Sequence, residues 1–322
     1  MVTQSRMVVP LRPADRVEIT CLVDNYADRL EADTEIAKRH PYSRDGEMLP
    51  GPVAEHGFSA LIKVFGDGEE HTVLFDTGVS ETAAVHNMRA LEVDTDRIEQ
   101  IVISHGHVDH TGGLLAVLKE IKKKPIAVVL HPDGLRKRWV LFPNGQRARL
   151  STIDEETLAN HGAQVVKTVS PYLMGNDLIL ATGEIRRQTD FEKGFPLSYA
   201  ESDGKLEPDF ETRDDQAVVV HIKGKGLVIV SGCGHAGIVN TVLYSKEITG
   251  EGNVLGVMGG FHLTGKLFEP FIDRTVGMIK DLKPRHIVPC HCTGWRAIQT
   301  FARDMSEEYI HNVVGTTYAF EK

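Results

Sequence analysis

Short apolar runs that end in glycine, aspartate or histidine recur along this chain, and segments of helical period follow several of them. Residues 17–23 read as a first strand, closed by Asp24-Asn25. Residues 58–65 and 72–75 read as a hairpin whose turn is Gly66-Asp67-Gly68. A helix over 81–91 precedes a buried strand over 98–103, and Thr111-Gly112-Gly113 then feeds an apolar helix that begins at Leu114. The second half repeats the style, with strands over 178–181, 217–222 and 226–230 and a helix near 238–246. A strand over 254–258, a helix over 269–282 and a buried strand over 285–288 follow. Residues 32–55 break the pattern: they are polar and interrupted by Pro41, Pro50 and Pro52, which predicts a surface excursion or a lid. With no repeat and no linker, the expectation is one domain over 1–322, of α+β or α/β class, with two mixed sheets and helices outside.

The strand over 98–103 delivers the chemistry. It runs into Ser104-His105-Gly106-His107-Val108-Asp109-His110, three histidines and a carboxylate in seven residues. In extended chain His105 and His107 share a face. Asp109 and His110 then fall at the start of a helix, turned back toward the same point. One short loop can therefore serve two adjacent coordination spheres, and imidazole with carboxylate suits zinc, with manganese or iron as harder alternatives. The competing reading is a polar loop in which Asp109 only caps a helix.

Other strands end in the same manner. Asp76 follows Leu74-Phe75 and can orient a metal-bound histidine from behind, or simply sit in a turn before Gly78. Cys233 and His235 lie in a glycine-spaced loop after 226–230, His262 emerges through Gly259-Gly260, and His291 closes the last strand. Alternation at Cys290-His291-Cys292 turns the two cysteines away from the side that His291 faces. Arg186 and Arg187 fit either a phosphate contact or a solvated turn. Trp295 fits either a ring-stacking residue or an interior aromatic that begins a helix.

Composition narrows the partners. The chain has 322 residues, 41% hydrophobic and 25% charged, ordinary for a folded protein. A net charge of −9 argues against a nucleic-acid partner but not against a small anionic substrate, because a metal supplies local positive charge. No run approaches the ~20 apolar residues of a membrane span. Residues 1–16 hold no apolar segment before a cleavage-like site, and four cysteines form no disulfide framework, so the expected compartment is the cytoplasm. Oligomeric state leaves no sequence signal.

The metal loop, the preceding Phe75-Asp76-Thr77-Gly78 and the strand-end histidines resemble the metallo-β-lactamase superfamily. Ala54-Glu55-His56-Gly57-Phe58-Ser59, Ser231-Gly232-Cys233-Gly234-His235, Gly259-Gly260-Phe261-His262-Leu263 and Pro289-Cys290-His291-Cys292-Thr293-Gly294 are similar to one branch of it. That branch resembles the 7,8-dihydropterin-6-yl-methyl-4-(β-D-ribofuranosyl)aminobenzene-5′-phosphate synthase of methanogens, and the likeness runs over about 17–294. The resemblance implies a four-layer αβ/βα sandwich with two divalent ions in its cleft. His105 and His107 would hold the first ion, Asp109, His110 and His291 the second. Most superfamily hydrolases place a bridging aspartate where this chain has Cys233. The mid-chain histidine ligand is open among His131, His221 and His235, with His235 the best placed. The implied activity is hydrolysis of an ester-like bond, a phosphoester or lactone, with Asp109 as proton acceptor and His262 and His56 contacting the substrate or protonating a leaving group. Two alternatives stand beside it: a synthase that joins a pterin diphosphate to a ribofuranosyl-aminobenzene phosphate with loss of pyrophosphate, and a metal-dependent sensor without turnover.

Overall fold

Val17, Ile19 and Cys21 alternate along the strand Arg16–Val23 and enter one buried layer, while Leu22 and Val23 pack on its other side. That two-sided burial sets the architecture. The computed structural model, which describes residues 8–322, places Arg16–Val23 inside an eight-stranded sheet. The strand order is Ala163–Lys167, Ile126–Leu130, Ile98–Val102, Glu69–Phe75, Ser59–Gly66, Arg16–Val23, Thr317–Glu321 and Ala37–Lys38. The first four run parallel and the rest pair antiparallel. A six-stranded sheet holds Tyr172–Met174, Ile179–Ala181, Ala217–Ile222, Gly226–Ser231, Val254–Gly260 and His286–Cys290, the last three parallel.

The two sheets face each other across a core that includes Val64, Phe75, Val102, Val218, Val230, Met258 and Val288. Helices Ala83–Ala90 and Leu114–Glu120 cover the outside of the larger sheet, burying Met88, Leu114 and Val117. Helices Ile238–Thr249, Ile272–Leu282 and Trp295–Asp304 cover the other, burying Val239, Val276 and Phe301. Helix, sheet, sheet, helix is the four-layer αβ/βα sandwich expected from the sequence.

Several boundaries move for local reasons. Pro270 holds Glu269–Phe271 as a 3-10 turn, so the helix expected from 269 begins at Ile272. The last strand runs on to Cys290. A four-stranded sheet of Arg147–Arg149, Arg138–Leu141, Ser198–Ser202 and Lys205–Pro208 gave no signal, because its strands are short and mostly polar. Within 32–55, Ala37–Lys38 extends the large sheet by pairing with Thr317 and Tyr318. Arg39 fixes that edge by donating to Thr316 Oγ1 at 2.7 Å and to the His311 carbonyl at 2.9 Å. The hairpin Ser43–Arg44 and Glu47–Met48 beyond it is exposed. Among the described residues, no helix is long and apolar enough to cross a membrane.

Candidate metal centre

The parallel strands of both sheets end at one edge, where open α/β sheets place their ligands. Glu69–Phe75 delivers Asp76, Ile98–Val102 delivers the histidine loop, and the four-residue helix Val108–Thr111 begins immediately after His107. From the opposing sheet Gly226–Ser231 delivers Cys233 and His235, Val254–Gly260 delivers His262, and His286–Cys290 delivers His291. Gly232 permits a close approach to the other sheet's loop: a Cβ there would lie 2.2 Å from Ser104 Oγ and 2.9 Å from Asp76 Oδ2. Three of these residues, Asp76, His262 and His291, hold positive φ of 58°, 46° and 49°, a strained conformation that concentrates at functional sites.

Among the described residues, donor atoms gather in overlapping sets, the atoms of each lying within 4.8 Å of one another. His105, His107 and His235 form one, Asp109, His110, Cys233 and His291 a second, and Cys233, His235 and His262 a third that joins them. In the second set Cys233 Sγ lies 3.1 Å from His110 Nε2 and 3.4 Å from His291 Nε2. Asp109 Oδ2 lies 3.6 Å from His110 Nε2 and 3.3 Å from His291 Nε2. Metal bonds of ~2.0–2.3 Å in a tetrahedron give edges of roughly 3.3–3.7 Å, so this set is already near the spacing a zinc ion requires. In the first set His105 Nε2 stands 3.0 Å from His107 Nδ1. His107 Nε2 and both ring nitrogens of His235 are buried with no hydrogen-bond partner. Orphaned buried nitrogens are costly unless a cation meets them, and the donor set fits a divalent ion.

Electrostatics divide the two sets. Burial pushes His105 and His235 well below the usual imidazole value, reinforced for His105 by His110 and for His235 by His262. Burial, with Arg138 nearby, brings His107 down to about 4. These rings are neutral, the form that binds metal. Burial opposes charge on His110 too, but Asp76 and Asp109 outweigh it and raise the ring to about 9. Asp109 is pulled below the usual carboxylate range by His110 and His291, against burial. Asp76 Oδ2 lies 2.6 Å from His110 Nδ1, leaving Nε2 turned toward Cys233. Ser104 Oγ donates to Asp76 Oδ2 at 2.7 Å and lies 2.9 Å from His105 Nδ1, so one hydroxyl touches the supports of both sets. Outer contacts of this kind fix the tautomer and aim of a ligating ring.

The remaining candidates separate. His56 is exposed at the rim, its Nε2 3.7 Å from Asp109 Oδ2. His131 caps the turn Pro132–Leu135 through Asp133, and His221 pairs with Glu251 at 3.3 Å, so of the three mid-chain histidines His235 is the one brought to the cluster. Arg186 is engaged elsewhere, paired with Glu247 on helix Ile238–Thr249. Trp295 begins a helix as expected but is 68% exposed rather than interior. The cysteines divide against expectation. Cys290 joins the core between the sheets, but strand alternation ends there, and the following turn His291–Thr293 lays Cys292 Sγ 3.3 Å from the Cys233 carbonyl.

Four supporting residues escaped sequence reading. Asp24 accepts from the His291 backbone N–H at 2.8 Å and from Asn312 Nδ2 at 2.6 Å, and its place at a strand end was a usable signal. Ser104 lay in plain view before the loop. Arg138 and Asp214 gave none, since both stand in polar sequence. Arg138, fully buried, reaches Asp209 Oδ2 through Nε at 2.6 Å and Asp214 through both terminal nitrogens at 2.9 and 2.6 Å. Asp214 Oδ2 in turn accepts from the Gly106 N–H at 2.8 Å, between the two loop histidines. A Cβ on Gly106 would lie 2.1 Å from the Gly134 carbonyl oxygen. Gly106→Ala is therefore expected to displace the loop, lowering bound metal and costing about 1–3 kcal/mol of stability. Elemental analysis and denaturant unfolding check it, and unchanged metal content would contradict the close packing of this loop.

The family model described as the metallo-beta-lactamase superfamily matches residues 54–246. A Methanocaldococcus jannaschii protein named 7,8-dihydropterin-6-methyl-4-(beta-D-ribofuranosyl)-aminobenzene-5'-phosphate synthase is 33% identical over 259 residues, which is 80% of this chain and 87% of that protein. An uncharacterised protein of the same organism is 31% identical, covering 80% of this chain and 91% of its own. A solved structure described as a metal-dependent hydrolase of the beta-lactamase superfamily superposes with a TM-score of 0.71 at 27% identity, over 95% of this chain and 100% of that one.

Proposed function

This chain belongs to the metallo-β-lactamase superfamily, and from that membership we propose that it is a metal-dependent hydrolase that opens an ester-like bond, a phosphoester or lactone, in a small anionic substrate. The observation that supports the reading most is the convergence of two donor sets on one strand-end cleft, joined at Cys233 and His235. His105, His107 and His235 would hold one ion, and Asp109, His110, Cys233 and His291 the other, zinc suiting this mixture and manganese or iron the harder alternatives. When bound, such ions polarise a carbonyl or phosphoryl oxygen and bring the pKa of water from 15.7 toward about 7.

The protein's own groups do the rest. Asp76 and Ser104 hold the imidazoles in register, so the donors are aligned before substrate arrives. Asp109, held ionised by His110 and His291, accepts the proton that the attacking water loses. His56 at the rim contacts an anionic substituent. His262, against His235 with ring centroids 4.1 Å apart, protonates the leaving group. Dialysis against a chelator is expected to abolish hydrolysis of model phosphodiesters and lactones, and zinc or manganese to restore it. Full activity in the metal-free protein would sink the proposal.

The 33% identical relative favours a second reading, a synthase that joins a pterin diphosphate to a ribofuranosyl-aminobenzene phosphate. Divalent ions assist departure of a diphosphate as readily as attack by water. Pyrophosphate released only in the presence of the arylamine would select the synthase, and release without it the hydrolase.

A further inference from the structure

We propose that the side chains of Asp214-Asp215-Gln216 form one bracket that sets the spacing of His105, His107 and His235, with Asp215 the positioning residue for His235. The inference rests on those three histidines being the donors of one ion, and it gives the other donor set a separate support.

The three residues run directly into the strand Ala217–Ile222 of the six-stranded sheet, and none is more than 1% exposed. Their side-chain bonds alternate as side chains do in extended chain. Asp214 Oδ2 accepts from the Gly106 N–H at 2.8 Å, and Gln216 Nε2 donates to the Ile103 carbonyl at 2.8 Å. The Gln216 backbone N–H adds a bond of 3.0 Å to the Ser104 carbonyl. Asp215 turns the other way and accepts from the Ala236 N–H through Oδ2 at 2.8 Å.

Three of these bonds end next to a donor. Gly106 lies between His105 and His107, Ser104 precedes His105, and Ala236 follows His235. The two loops leave different sheets, so a common holder keeps their separation fixed when the sheets shift against each other. The bracket is itself anchored: Arg138, on the small four-stranded sheet, binds both oxygens of Asp214 at 2.9 and 2.6 Å. Asn240 Nδ2 donates to the Ala236 carbonyl at 2.8 Å, so both polar groups of that residue's backbone are held.

Among the described residues, no hydrogen bond joins 214–216 to Asp109, His110, Cys233 or His291. Those donors have other supports, Asp76 at His110 Nδ1 and Asp24 at the His291 N–H. The bracket therefore governs one donor set and leaves the second to its own holders.

The test titrates the metal-free full chain with zinc by calorimetry and with cobalt by absorption. The native protein is expected to fill two zinc sites and, with cobalt, to show a charge-transfer band from the Cys233 thiolate. Asp215→Ala is expected to weaken one zinc site at least about tenfold, as loss of an outer partner does, while the thiolate band keeps its native intensity. Asp215→Asn retains an oxygen for the Ala236 N–H, and its zinc affinity is expected nearer the native value than the alanine value. Gln216→Met, of similar shape, is expected to weaken the same site and reads the bracket independently should Asp215→Ala fail to fold. Residues that only stabilise the fold would weaken both sites together. Native affinity at both sites in Asp215→Ala and Gln216→Met, or equal loss from both sites, would overturn the proposal. A native chain that takes up no zinc removes the metal reading and the bracket with it, whereas two filled native sites with unaffected variants remove the bracket alone.

Discussion

On the proposed function, His110→Ala is expected to release the metal that Asp109, Cys233 and His291 would help to hold and to lower kcat/KM by more than the ~10–100-fold that loss of an outer partner costs. The ring is fully buried and makes three contacts at once: Asp76 at 2.6 Å, Cys233 at 3.1 Å and Asp109 at 3.6 Å. Alanine removes the donor and leaves two carboxylates facing a cavity. Asp76→Asn should fall inside the ~10–100-fold range, since the ligand remains but its tautomer and aim are no longer imposed. Cobalt substitution reports on the same set: a charge-transfer band from the Cys233 thiolate is expected in the native protein and absent in Cys233→Ser. His110→Ala with full metal and full activity would remove this cluster from the mechanism.

Arg138→Met is the largest expected loss of stability, about 3–5 kcal/mol, because it strands the buried carboxylate of Asp214 and leaves Asp209 to Arg136 alone, rather than because the ion pairs themselves contribute so much. Asp209 and Asp214 are 6% and 0% exposed, and Asp214 keeps its usual charge only through the guanidinium and the Gly106 N–H. The sign with pH follows. Burial would raise the Asp214 carboxyl, but Arg138 and Gly106 hold it below the usual carboxylate range. Its contribution is thus present above the unfolded value and is lost as pH falls through the folded one. The deficit of Arg138→Met is expected to be greatest near neutrality and to shrink as pH falls, because burial no longer opposed by the guanidinium raises the Asp214 carboxyl and lets it protonate. Adding Asp214→Asn to Arg138→Met should recover part of the loss at pH 7. Urea unfolding at pH 7 and pH 4 measures both, and a pH-independent deficit would contradict the charge argument.

The legible part of the site is the part encoded within a few residues. His105 through His110 sit together because a strand, a turn and a short helix follow one another, and local periodicity reports all three. Glycine spacing marked the loops of His235 and His262. Alternation failed at Cys292 because the strand had already ended, a change of backbone state that the residue pattern does not display. Of the two places open to Trp295, the interior one fails because its face of helix Trp295–Asp304 meets no sheet.

Sequence by itself determined where each donor leaves its strand, since apolar runs must be buried and the first polar residue after them emerges at the sheet edge. Tertiary structure decided which donors meet. Cys233 reaches His110 across 123 residues and His291 across 58 because two sheets pack face to face with their parallel strands ending at one edge. The same packing buried Arg138 under the loop, against Asp214. Pairings of that kind depend on the burial of whole sheet faces, a property of the assembled layers that no window of residues contains.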